Sequence, residues 1–206
     1  MRKMFILVTA AAFAGALGVA TAATQAAELA YTNFGHKESF GEGGLAVNGP
    51  AGASVCIPGD PTSYGAGSFG PSVTGTLNHL DLALTNVGGS SVGDGALATG
   101  VHIALVGGNG ADAPETTRPA LEEWHLSNLP IYGVGTAKAT KITSKLHPTL
   151  NNGTKYWIVA TPGGYDGCVL WNVNVTGATQ GFTSVDAGAT WATTGIAPAF
   201  DVWVNP

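Results

Sequence analysis

Five histidines, thirteen carboxylates and two cysteines are what this 206-residue chain has for chemistry, and their spacing offers few combinations. Gly89-Ser90-Ser91-Val92-Gly93 matches G-x-S-x-G, the motif that lifts a serine nucleophile onto a sharp strand-to-helix turn. Asp94-Gly95 and more glycine follow where the helix must begin, so the segment reads as a loop. Gly107-Gly108-Asn109-Gly110-Ala111-Asp112 matches the start of a calcium-binding nonapeptide, which completes its ligand shell only by stacking repeats; the chain carries one copy.

Glu122 and His125 stand three apart, a spacing that would put both on one side of a helix, but in an extended segment it sends them to opposite faces. His36, His79, His102 and His147 are scattered, with no pair at the spacing of a zinc motif. Asp60, Asp94, Asp166 and Asp186 lie within two residues of Gly or Pro, where turn formation accounts for them. No catalytic residue, cofactor or metal ligand set is expected, because no nucleophile, base and orienting group can be assembled from these spacings.

The tryptophans carry more signal. Trp124, Trp157, Trp171, Trp191 and Trp203 are many for a chain with 10% charged residues. Trp171 alternates with Val169, Val173 and Val175 and is expected in the core. Trp203 shares its face with Asp201 and Asn205, opposite Phe200, Val202 and Val204, and is expected to be partly exposed. An aromatic ring beside amide and carboxylate groups is what a sugar-binding surface uses, so Trp203, Asp201 and Asn205 are the candidate ligand residues; the alternative is that the tryptophans pack a second buried face.

The elements that must hold these side chains begin with a secretory signal. Arg2 and Lys3 precede an apolar run, and Ala20-Thr21-Ala22 supplies the small-x-small cleavage pattern, so residues 1–22 are read as removed and 23–206 as one secreted domain. No later segment has the apolar length to span a bilayer. After residue 22 six Lys and Arg face thirteen Asp and Glu, a net charge of −7 with a single Arg, which excludes nucleic acid and anionic membrane as partners. In an oxidising compartment Cys56 and Cys168, the only cysteines, are expected to form a disulfide.

Glycine at 31 positions with few charges suits short strands joined by tight turns better than surface helices. Leu80, Leu82 and Leu84 alternate, as do Val101, Ile103 and Leu105, each giving one apolar face. Pro119–Leu126, Pro130–Val134 and Thr140–Leu146 read as further short strands, the last with its lysines outward. Asn151-Asn152-Gly153-Thr154 followed by Tyr156-Trp157-Ile158-Val159-Ala160 is the clearest hairpin signal, and residues 168–175 and 200–204, with weaker pieces near 29–34 and 53–57, complete nine or ten strands. The expected fold is all-β: a two-sheet antiparallel β-sandwich, jelly-roll or Greek-key like.

The order of motifs resembles a family. Leu121-Glu122-Glu123-Trp124, Asn128-Leu129-Pro130-Ile131-Tyr132-Gly133, Pro148-Thr149-Leu150, Gly153-Thr154-Lys155-Tyr156-Trp157, Leu170-Trp171-Asn172 and the closing Ala197-Pro198-Ala199-Phe200-Asp201-Val202-Trp203 are similar to the bacterial choice-of-anchor extracellular domains associated with PEP-CTERM sorting tails. The resemblance covers residues 30–205 and implies a secreted, periplasmic or cell-surface β-sandwich, with no catalytic residues to carry over. The sequence stops at Asn205-Pro206 without the sorting tail, which implies a product that is free or held by protein contacts.

The function expected is therefore a non-catalytic structural, matrix or weak recognition module, with extracellular polysaccharide or other surface proteins as partners. A secreted polysaccharide hydrolase or lyase is the alternative, and it needs two carboxylates about 5–10 Å apart in a cleft. A strand-exchanging fibre subunit is the third, and it would leave residues 23–34 unpaired in the monomer.

Overall fold

A computed structural model describes residues 26–50, 62–87, 100–108, 112–131, 138–164 and 168–206. The signal segment, the G-x-S-x-G serine, the middle of the Gly107–Asp112 segment, most of Pro130–Val134, and Cys56 lie outside the described residues. Among the described residues the secondary structure is strand, apart from a 3-10 turn at His36–Glu38. In chain order the strands are β1 (Glu28–Thr32), β2 (Gly44–Asn48), β3 (Tyr64–Phe69), β4 (Gly75–Leu82), β5 (Leu84–Asn86), β6 (Val101–Gly107) and β7 (Glu122–Leu126). They continue with β8 (Thr140–Thr143), β9 (Thr149–Leu150), β10 (Tyr156–Pro162), β11 (Cys168–Asn172), β12 (Gly181–Ser184), β13 (Ala192–Thr193) and β14 (Phe200–Asn205). No helix among the described residues is long and apolar enough to cross a membrane.

The expected antiparallel β-sandwich forms, with its strands in three hydrogen-bonded sheets rather than two. One runs β1-β14-β4-β8 with β9 also on β4; a six-stranded sheet runs β13-β12-β3-β10-β6-β7; a three-stranded sheet runs β2-β11-β5. The split arises at Ala83, where β4 ends and β5 begins. Its N–H bonds Ala199 and its carbonyl accepts from Asn172, so one chain segment serves two sheets. Paired bonds between Asn48 and Ser63 join the three-stranded sheet to the start of β3.

The alternating leucines and valines fill the space between the sheets. Leu80, Leu82 and Leu84 are fully buried, as are Val101, Ile103 and Leu105, and all six belong to one core. Phe200 on β14 ties the layers together, with its ring 6.0 Å from Phe69 of β3 and 5.9 Å from Trp171 of β11. That seat exists because residue 67 is glycine: a Cβ there would come within 2.7 Å of the Phe200 ring. Trp171 is in the core as its alternation predicts, and its indole N–H donates to the Ala199 carbonyl at 3.1 Å.

The 151–154 turn departs from expectation. Gly153 adopts φ +76°, as the Asn-Gly pair suggests, but the strands on either side do not pair with each other. β9 joins β4 in the five-stranded sheet while β10 lies between β3 and β6, so the turn carries the chain across the sandwich. A tight turn fixes local backbone direction; which sheet receives the next strand is decided by where its apolar residues find partners. At the end of the 168–175 run, Val175 is exposed, because the strand stops at Asn172.

Candidate functional site

The residues singled out by sequence lie on the outer face of the five-stranded sheet, in rows set by register. One row runs Leu29, Trp203, His79 and Thr143 across β1, β14, β4 and β8; the next runs Thr32, Asp201, Asp81 and Lys141. Trp203 is partly exposed: its ring stacks against His79 at 5.3 Å and 12°, and Leu29 occupies the cross-strand position on its other side. Its indole N–H is buried without a partner. Asn205 accepts from the Asn78 amide at 2.9 Å, and His79 is held by Asn78 through Nδ1 at 2.6 Å and by Asp81 through Nε2 at 3.3 Å.

Asp201 is only 4% exposed and sits directly across from Asp81. Burial raises its carboxyl to about 6; a hydrogen bond from Thr32 opposes the shift, and the charges of Asp81 and Glu38 add to it. His79 is pushed the other way, below its usual range, chiefly by burial, with the Asp81 charge opposing. Both shifts favour the neutral form, so the carboxyl of Asp201 loses its charge at a higher pH than an ordinary aspartate. The two carboxylates stand in neighbouring strands of a sheet face, not across a cleft.

A second site was not visible in the sequence. The outer face of the six-stranded sheet carries a groove of about 200 Å³, lined by His102, Ala104 and Val106 of β6, Glu123 and His125 of β7, and Val159 and Thr161 of β10, with Thr116 and Arg118 from the segment leading into β7. Its floor continues an outward apolar cluster of Ala66, Val106, Trp157 and Val159, against which Ala104, Phe182 and Trp191 pack. Its wall is tied down by Thr116, whose hydroxyl donates to the Gly188 carbonyl at 3.2 Å, and Arg118 pairs with Glu115 along the same segment.

Gly188 belongs to a loop built around Asp186. That carboxylate accepts from the Ser184 hydroxyl and from both the N–H and hydroxyl of Thr190, and these bonds pull it down to about 2. Asp186 thus does what its turn-rich context predicts.

The β6–β7 register places His102 opposite His125. Their rings meet edge to face, with centroids 3.8 Å apart at 74°, and His125 Nδ1 lies 2.7 Å from His102 Nε2. Burial, then the neighbouring imidazole, lowers the His102 pKa, against the pull of the Glu123 charge. Twenty-three residues separate the two histidines, and only strand pairing joins them. Glu122 faces inward as its odd spacing from His125 requires; it is 3% exposed, and its carboxylate accepts from the Ser144 hydroxyl and the Lys145 and Leu146 N–H groups. Among the described residues no group of three or more His, Cys, Asp or Glu side chains converges on one point. Cys168 is buried and is not a free thiol.

A scan against protein-family models gives no match to this chain, and a search of curated proteins gives none either.

Proposed function

We propose that this chain is a non-catalytic β-sandwich module of a secreted or cell-surface protein, that it recognises a neutral extracellular glycan weakly, and that the choice-of-anchor likeness reflects real kinship. The groove on the six-stranded sheet is the observation that carries the recognition reading. It combines an apolar floor of Ala104, Val106 and Val159 with a rim of donors and acceptors from Thr116, Arg118, Glu123, His102 and Thr161, the usual composition of a small-ligand site. Its volume of about 200 Å³ suits about one sugar ring. A net charge of −7 after residue 22 disfavours polyanions. One ring in one groove supports an affinity of roughly millimolar to high micromolar.

Trp203, which is partly exposed, is the second contact proposed, together with the amide of Asn205. The fibre-subunit reading loses its distinguishing feature, since β1 is already paired with β14 of the same chain. The test is a titration of neutral and acidic oligosaccharides followed by NMR, on the wild type, Ala104→Phe, which fills the groove, and Trp203→Ala. Loss in Ala104→Phe alone supports the groove; loss in Trp203→Ala alone moves recognition to the five-stranded sheet. No binding to any neutral sugar overturns the reading, and turnover of a polysaccharide abolished by Glu123→Gln or Asp201→Asn would replace it with the hydrolase.

A further inference from the structure

We propose that His102 and His125 form a two-imidazole site for a divalent transition-metal ion, with copper(II) the best fit. The two rings arrive on adjacent antiparallel strands at one cross-strand pair, both on the outer face, so the ladder and not a flexible loop sets their separation. His125 Nδ1 lies 2.7 Å from His102 Nε2, and neutral imidazoles that close can share only one proton between two lone pairs. A metal ion takes the place of that proton: two metal–nitrogen bonds form as two waters leave the ion, the N–H bond between the rings breaks, and through solvent the proton returns to the far nitrogen of the same ring, so both imidazoles bind neutral.

Geometry selects among metals. Two imidazole nitrogens at about 2.0–2.1 Å from one ion lie about 2.9 Å apart when they are cis in a square or octahedral shell, and about 3.3 Å apart in a tetrahedron. The observed 2.7 Å lies nearer the first, so a tetragonal ion asks for a small change in separation together with a rotation of the rings that turns both lone pairs towards one point. Copper(II) prefers that shell and stands highest in the general affinity order of divalent ions.

The surroundings suit a cation. Glu123 shares the outer face of β7 with His125 and lies diagonally across from His102, where its charge already acts on that ring. It offsets the ion's charge and takes a hydrogen bond from a bound water. Because no third ligand side chain converges there among the described residues, solvent fills the remaining positions, some of which open towards the groove.

The experiment uses the full protein without an affinity tag and with no sugar present, so its outcome is independent of what the groove recognises. Copper(II) chloride is titrated with EPR detection, and zinc chloride is titrated by calorimetry for comparison. One copper per chain is expected, with nitrogen hyperfine structure from two imidazoles and a Kd of about 10 μM or tighter. His102→Gln and His125→Gln should each weaken binding at least tenfold, and His36→Gln should leave it unchanged. Should a variant fail to fold, copper-induced broadening of the amide signals of residues 102 and 125 in the wild type reads the same site. Broadening centred elsewhere, unchanged affinity in His102→Gln and His125→Gln, or no binding at 100 μM copper would overturn the proposal.

Discussion

Asp201 and Glu122 are two buried carboxylates with opposite circumstances, and they make opposite predictions. Glu122 accepts one hydroxyl and two backbone N–H groups from the 144–146 turn, so removing it orphans three donors at once. Glu122→Ala should lower unfolding free energy by about 2–3 kcal/mol, read as a lower denaturant midpoint at unchanged slope. Asp201 has one buried oxygen without a partner, and its carboxyl is raised from 3.8 to about 6. The folded state therefore holds that proton more tightly than the unfolded chain. Stability from this group is full below about pH 4 and is lost as pH rises through about 6. Asp201→Asn should flatten this part of the melting-temperature profile, and a variant that keeps the wild-type fall between pH 4 and 7 would refute the assignment. The sequence showed that Trp203, Asp201 and Asn205 share a face. It gave no sign that Asp81 lies opposite Asp201 or that His79 lies against the indole, because those facts belong to register between strands far apart in the chain.

At the scale of elements, period-two alternation sufficed wherever one face is core. Leu80-x-Leu82-x-Leu84 and Val101-x-Ile103-x-Leu105 were legible because each apolar side chain answers to the same buried surface. The same logic put Glu122 and His125 on opposite faces, and the structure turns Glu122 inward. It could not pair His102 with His125, since the strands bearing them meet through a register that no local spacing records. Nor could it show that the Asn151–Thr154 turn bridges two sheets. Gly153 and Gly67 separate the two demands made on glycine here. Gly153 has φ +76° and open space around its Cβ position, so Gly153→Ala should cost about 1 kcal/mol from backbone strain alone. Gly67 has an ordinary backbone but faces the Phe200 ring and Pro198, so Gly67→Val should cost about 2–3 kcal/mol by pushing the central aromatic cluster apart. Chemical denaturation of both variants orders the two effects; equal losses would mean that Phe200 can move aside.

For the whole molecule, we propose that Cys168 is bridged to Cys56, the only other cysteine. Such a bond closes a loop of about 110 residues and would contribute up to about 4–5 kcal/mol on the chain-entropy view. Mass spectrometry of native protein alkylated before and after reduction should show no free thiol before and two after; two labelled thiols in the unreduced sample would refute the bridge. The pairing of β1 with β14 has a mechanical consequence. The strands are antiparallel, with Glu28 opposite Val204, so the two ends of the described sandwich leave from the same corner. Tension applied through residues 28 and 205 would act on one ladder bond at a time, opening it like a zipper instead of shearing all its bonds together. A domain so tethered would yield at low force, and a load that must be carried across it would have to enter through some other pair of points.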